Sequence, residues 1–481
     1  MYRSALNDLN DWHARPSRKP LIVRGARQIG KTWLVREFAK RFDNLVEINF
    51  DRNPEKGQLF IGRDIHKGLE FLEIDCDTEI IPGKTLLFLD EIQAVPEMLP
   101  LLRYFHEEVA DLHVIAAGSL LEFLLSDHDF SMPVGRVEYL HLGPMQMEEF
   151  LMALGQDKLA EYLNDYQLDD PIPESIHKTL LHYLKLFWII GGMPAAVRWY
   201  VKTTKLAETI REHSAILQTY EDDFNKYRKR IYPQRLRTVF RRIPAIIGNK
   251  LKYVNLDPNE RSRDLADSLH LLEMARVIYL VKHSSGNGIP LGAEVKERIF
   301  KPLFLDIGLV STSLGLNLPE LETGDNLMMV NNGALAEQYI GQHLLYARPS
   351  YEKPQLFYWN REQKNSSAEI DYLIAYTNNV VPIEVKAGKT GTLKSLQVFV
   401  AEKKTPIALR FNALPPSTSW QQSAITEKEK VTYKFISLPL YLAGQTRRLL
   451  GQPPRRKPES AKILSDHPKS KSPQYPGVPI Y

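Results

Sequence analysis

Short apolar runs alternate with helix-period segments in the first third of the chain. Leu21-Ile-Val23 precedes a helical stretch from Trp33 to Phe42, and Leu45-Val-Glu-Ile-Asn-Phe50 alternates as a strand does. Thr85-Leu-Leu-Phe-Leu-Asp90 and His113-Val-Ile-Ala-Ala-Gly118 are continuous apolar runs, the pattern of strands buried on both faces. Strands interleaved with helices predict an α/β domain with a parallel sheet and flanking helices over 1–150. From 151 to 325 helical spacing dominates, broken sharply at Ile189-Ile-Gly-Gly-Met-Pro194, which we read as a tight helix junction. Near the end of that region a helix from Arg263 to Ala275 precedes Val277–Val281, a turn at Gly286 and Gly288, and Lys301–Asp306. Helix followed by β-ribbon outlines a winged helix. Strand signals return over 326–444, and 445–481 reads as a disordered tail rich in Pro and Ser.

Composition narrows the setting. One cysteine, Cys76, excludes an intrachain disulfide framework and a cysteine-based zinc cluster, and a reducing cytoplasm is the expected home. The N-terminus has no apolar signal-like stretch, and the uncharged run Leu186–Val197 is too short and glycine-broken to span a bilayer, so no membrane is expected. Net charge is +4, but the tail from Arg447 carries eight basic residues against Glu459 and Asp466, leaving −2 on the rest. Lys226–Arg242 holds eight basic residues, no acids and the aromatics Tyr227, Tyr232 and Phe240. Such a stretch suits DNA or RNA phosphates with base stacking, or equally a solvated helix face that buries Leu236, Val239 and Phe240. Arg261 and Arg263 open the candidate reading helix, yet Asp264, Asp267 and Glu273 on the same element would repel phosphates.

The most specific motif is Gly25-Ala26-Arg27-Gln28-Ile29-Gly30-Lys31-Thr32, between a strand and a helix that opens at Trp33. Glycines at both ends allow a turn whose N–H groups converge on an anion. Lys31 can reach the β and γ phosphates, and the Thr32 hydroxyl can hold Mg²⁺. Asp90 and Glu91, ending a buried strand, are placed to hold Mg²⁺ through water and to polarise the attacking water. Ser119, ending the next strand, can sense the γ-phosphate. Arg136 is a cation for the transferring phosphoryl group, within one chain or across an oligomer, or else a surface ion pair.

These residues resemble a known family. Arg24–Thr32, Leu-Phe-Leu-Asp-Glu-Ile-Gln93, Ala-Ala-Gly-Ser119, Gly135-Arg136, Leu-Gly-Pro144 and Glu149-Phe look like the prokaryotic AAA-type ATPases with a C-terminal domain of unknown function. Gly191-Gly192-Met193-Pro194 matches that family's glycine-glycine-x-proline signature. The resemblance implies ATP as the nucleotide, which the loop alone does not establish.

In the last third, Glu337 lies on an amphipathic helix, Asp371 on a strand with Glu369, and Glu384-Val-Lys386 on the strand after it. Two carboxylates can hold a divalent metal there, and the lysine on the same strand face can orient water for phosphodiester attack. The order resembles the PD-(D/E)xK nuclease superfamily and predicts a restriction-endonuclease-like α/β domain, with Glu337 as the helix glutamate and Gln397 as a supporting polar residue. Ile370 replaces the proline expected before the acid, and Glu-x-Lys recurs at Glu294 and Glu402. The chain is therefore expected to be an ATPase acting with a nuclease-like or nucleic-acid-binding module, or a switch for a protein partner whose module only grips.

Overall fold

The computed structural model describes residues 1–119, 133–168, 170–227, 231–316, 332–361, 368–388, 393–424 and 429–451. Strands β1 (Leu21–Arg24), β2 (Asn44–Asn49), β3 (Thr85–Asp90), β4 (His113–Gly118) and β5 (Glu138–His141) form one parallel sheet in the order β2-β3-β4-β1-β5. β4 thus separates the strand before the glycine loop from the strand ending in Asp90. Helices α1 (Ala5–Ala14), α2 (Lys31–Ala39), α3 (Ile65–Cys76) and α4 (Met98–Glu108) flank it. Every residue of β3 and β4 is buried, as their unbroken apolar runs require.

Helices α5 (Met147–Ala153), α6 (Asp157–Asp165), α7 (Glu174–Ile190), α8 (Pro194–Thr203), α9 (Leu206–Asp223), α10 (Pro233–Arg242), α11 (Ser262–Met274) and α12 (Ile307–Ser313) follow. The turn between α7 and α8 is tight because Gly191 ends α7 at φ 67°. A Cβ there would lie 2.0 Å from the Asp306 carboxylate. Asp306 accepts from Gly192 N at 2.6 Å, and from Gly308 N at 2.9 Å as the N-cap of α12. No single described helix is long and apolar enough to cross a membrane; α7 and α8 qualify only as a pair, bent by 118°.

Helix α11 is followed by the antiparallel pair β6 (Ile278–Ser284) and β7 (Val295–Phe304), the helix and ribbon that the pattern outlines. The ribbon does not stand apart, however. With β8 (Phe357–Asn360), β9 (Glu369–Tyr376), β10 (Asn379–Val385), β11 (Ile407–Asn412), β12 (Ser417–Ala424) and β13 (Lys430–Pro439) it makes an eight-stranded sheet ordered β12-β13-β11-β10-β9-β8-β6-β7. The expected division at 325/326 is therefore crossed by backbone pairing of β6 with β8. Helices α13 (Asn332–Tyr346) and α14 (Lys394–Lys403) pack on this sheet.

The tail begins later than 445. Thr446–Leu449 is helical, and Arg448 donates to the carbonyls of Tyr166 at 2.7 Å and Leu163 at 3.1 Å. The remaining tail positions, from 452, lie outside the described residues, as do the arginines and lysine at 228–230.

Candidate functional site

At the carboxyl end of the parallel sheet, the glycine loop turns β1 into α2. A Cβ on Gly25 would lie 2.4 Å from the Leu142 carbonyl oxygen, so only glycine fits that close approach. Gln28 at φ 63° and Gly30 at φ 88° complete the turn. Ala26 and Ile29 are buried beneath it, Gln28 is exposed, and Trp33 stands 39% exposed on the first turn of α2. Lys31 is buried and donates to the carbonyls of Gly25 at 3.1 Å and Ala26 at 2.9 Å.

Thr32 Oγ1 donates to Asp90 Oδ2 at 3.0 Å, joining loop and β3 across β4. Burial, then the neighbouring Glu91 charge, pushes the Asp90 carboxyl above its usual range. Glu91 sits in left-handed backbone at φ 51°. Its carboxylate accepts from Gln93 at 2.5 Å and from Ser119 Oγ at 3.4 Å. Thr32, Asp90, Glu91 and Ser119 are thus joined, with the Lys31 ammonium held on the carbonyls of its own loop. Asn49, ending β2, donates to Asp90 Oδ2 at 3.2 Å. Gln93 closes the Leu-Phe-Leu-Asp-Glu-Ile-Gln motif, whereas Asn49 does not stand out in the sequence, since its only signal is a polar residue at a strand's carboxyl end.

Arg136 does not join this group. It pairs with Glu107, the penultimate Glu of α4, at 2.7 Å, and enters β5 where Glu138 aligns with Leu21, the first residue of β1. That is the opposite end of the sheet from the glycine loop, so within one chain Arg136 cannot face a phosphoryl group there.

The loop is also held from outside its own domain. Arg27 donates to both oxygens of Asp223 at 2.7 Å, and Tyr220 donates to the Arg27 carbonyl at 2.8 Å, both partners on α9. From the other side the buried Arg3 guanidinium donates to Ile29 O at 2.9 Å and Gly143 O at 2.6 Å, and pairs with Glu149 of α5 at 3.2 Å. Arg3, Tyr220 and Asp223 are too distant in sequence for any local motif to mark them.

Residues of the basic stretch are engaged within the chain. Leu236, Val239 and Phe240 are buried on α10, Arg235 pairs with Glu260 and Asp264, and Arg241 pairs with Glu221. Arg261 and Arg263 are exposed at the start of α11.

The C-terminal acids do assemble. Glu337 of α13 and Asp371 of β9 come together, and Glu384 meets Lys386 Nζ at 2.5 Å. Among them lies a lysine that no local pattern marks. Lys301 of β7, its side chain 5% exposed, sends its ammonium to Glu369 at 2.6 Å, Glu337 at 3.3 Å and Asp371 at 3.7 Å. Lys250 adds a second ammonium to Glu369 at 2.8 Å. Among the described residues, no group of three or more His, Cys, Asp or Glu side chains is arranged to hold a metal ion. Burial, then the Asp371 charge, pushes the Glu337 and Glu384 carboxyls above their usual range. Burial alone would lower Lys301, but the Glu337, Asp371 and Glu369 carboxylates outweigh it and hold the ammonium charged. Gln397 points into solvent on α14.

With this geometry in view, the family comparisons fall into place. Residues 17–151 match the model described as an AAA domain. That segment is thus similar to AAA-type ATPase domains, a similarity that supports nucleotide binding at the glycine loop. Residues 181–320 match a domain of unknown function (DUF8612), and 332–434 another (DUF4143). No curated protein matches the chain. Among solved structures, the Aeropyrum pernix ORC2 protein in its ADPNP-ADP complexes aligns at 13% identity and TM-score 0.32, over 65% of this chain and 91% of that one. C. elegans PCH-2 aligns at 14% and 0.25, over 42% and 61%. The S. cerevisiae Hsp104-ADP complex aligns at 14% and 0.25, over 56% and 38%.

Proposed function

We propose that this protein is a Mg²⁺-dependent ATPase that works as a switch, with the nucleotide state read by the middle domain through its grip on the glycine loop. The observation that carries the reading is the double hold on Arg27, by Asp223 on its side chain and Tyr220 on its carbonyl. An occupied loop must reposition its backbone and its lysine, and α9 touches that backbone directly. Thr32 and Asp90, 3.0 Å apart, suit a Mg²⁺ held by a hydroxyl and, through water, a carboxylate, which would neutralise phosphate charge. Lys31 binds and orients phosphate oxygens. Glu91 positions and polarises water, with Gln93 and Ser119 steadying its carboxylate.

Lys301 among the acids favours the form of this reading in which the C-terminal nuclease-like module grips a partner without cutting. The test is calorimetric titration of Mg-ATP into the full chain and its Lys31→Ala variant. Saturable binding to the wild type, lost in a variant whose circular dichroism is unchanged, is expected. Full affinity in Lys31→Ala would refute the phosphate assignment.

A further inference from the structure

The order of Glu337, Asp371, Glu384 and Lys386 along the chain resembles that of a metal-dependent nuclease, and such a site needs open coordination positions between its carboxylates. Here those carboxylates face an ammonium. Lys301 Nζ lies within 3.3 Å of both Glu369 and Glu337 and 3.7 Å from Asp371, and its other side is the Tyr358 ring, whose centroid is 5.4 Å away. A divalent ion bound by the same oxygens at about 2.0–2.6 Å would sit almost against that positive charge. Nor is the lysine free to swing out. Its side chain is enclosed, and its backbone is pinned in register opposite Val281 of β6. The remaining Asp371 oxygen accepts from Val385 N at 2.7 Å, and Glu384 Oε1 meets Lys386, while Glu384 Oε2 is buried without a hydrogen-bond partner. Four acids (Glu337, Glu369, Asp371, Glu384) thus face three ammonium groups (Lys250, Lys301, Lys386).

We propose that the Lys301 ammonium is the resident cation of this acidic cluster, standing in the place of a divalent metal, so that the cluster is a structural centre rather than a hydrolytic one. The proposal is independent of the ATPase reading, because it is tested without nucleotide. Electron paramagnetic resonance of free Mn²⁺ is measured with the wild-type chain, Asp371→Asn and Lys301→Met. Wild type and Asp371→Asn are expected to take up equal amounts, showing that Asp371 binds no metal. Lys301→Met is expected to gain about one Mn²⁺ per chain, lost again when Asp371→Asn is added. Should Lys301→Met fail to fold, Lys301→Arg keeps the positive charge and is expected to fold and take up no more Mn²⁺ than wild type. Mn²⁺ uptake by the wild type that Asp371→Asn abolishes would overturn the proposal, as would a folded Lys301→Met that gains none.

Discussion

Glu91 shows how a single residue earns its place by geometry. It lies just past a fully buried strand, in left-handed backbone, with Ser119 and Gln93 on its carboxylate. Glu91→Gln keeps the shape and removes the base, so nucleotide binding is expected to persist while turnover falls about 10²-fold or more, measured by phosphate release. Unchanged turnover would remove Glu91 from the mechanism. The buried histidines make a second residue-scale case. His343 has Nδ1 beside the Tyr339 carbonyl at 2.9 Å, and its Nε2 accepts from Met147 N at 3.1 Å, a pattern only the neutral ring satisfies. Burial lowers both His343 and His213 to about 4. A base held below its unfolded value of about 6.5 takes up its proton chiefly on unfolding, so stability is lost as pH falls from about 6.5 toward 4, by something like 3 kcal/mol for each ring. Urea midpoints at pH 7 and pH 5 check this, and the drop should shrink in His343→Gln.

At the scale of elements, α9 decides what the glycine loop can communicate. Its Tyr220 and Asp223 meet Arg27 from a helix whose own pattern is merely amphipathic. Asp223→Asn is expected to leave the fold intact while the slowing of amide exchange in α9 on adding Mg-ATP is lost; undiminished protection would show that the pair does not couple them. The β6–β7 ribbon is the second case. The helix and ribbon were legible because period and turn residues mark them, but that β6 would pair with β8 was not, because pairing partners far apart in sequence leave no local signal. Lys301 reaches the acids only through that pairing. Removing its charge leaves Glu337, Glu369 and Asp371 under-compensated in a buried setting, so Lys301→Met is expected to cost about 3–5 kcal/mol by chemical denaturation in the absence of metal.

Across the whole molecule, contacts run from loop to cluster. Arg3 joins the Ile29 carbonyl to Glu149 of α5, the Met147 N–H on that helix meets His343 of α13, and α13 carries Glu337. If this route carries coupling, Arg3→Ala and His343→Gln should be non-additive in ATP affinity, by a double-mutant cycle; strict additivity would exclude it. Local chemistry marks its elements along the chain: apolar runs for the buried parallel strands, glycines and Lys31 for the glycine loop, Asp90 and Glu91 at a strand end. It also marked the acids of the last third, because alternation sets which side chains share a face. What stands opposite those groups is set by packing in three dimensions. Arg136 went to the far end of the sheet, Arg27 to α9, and Lys301 in among Glu337, Glu369 and Asp371, since a side chain's charge partner is set by strand order and packing between segments that the linear pattern leaves unconnected.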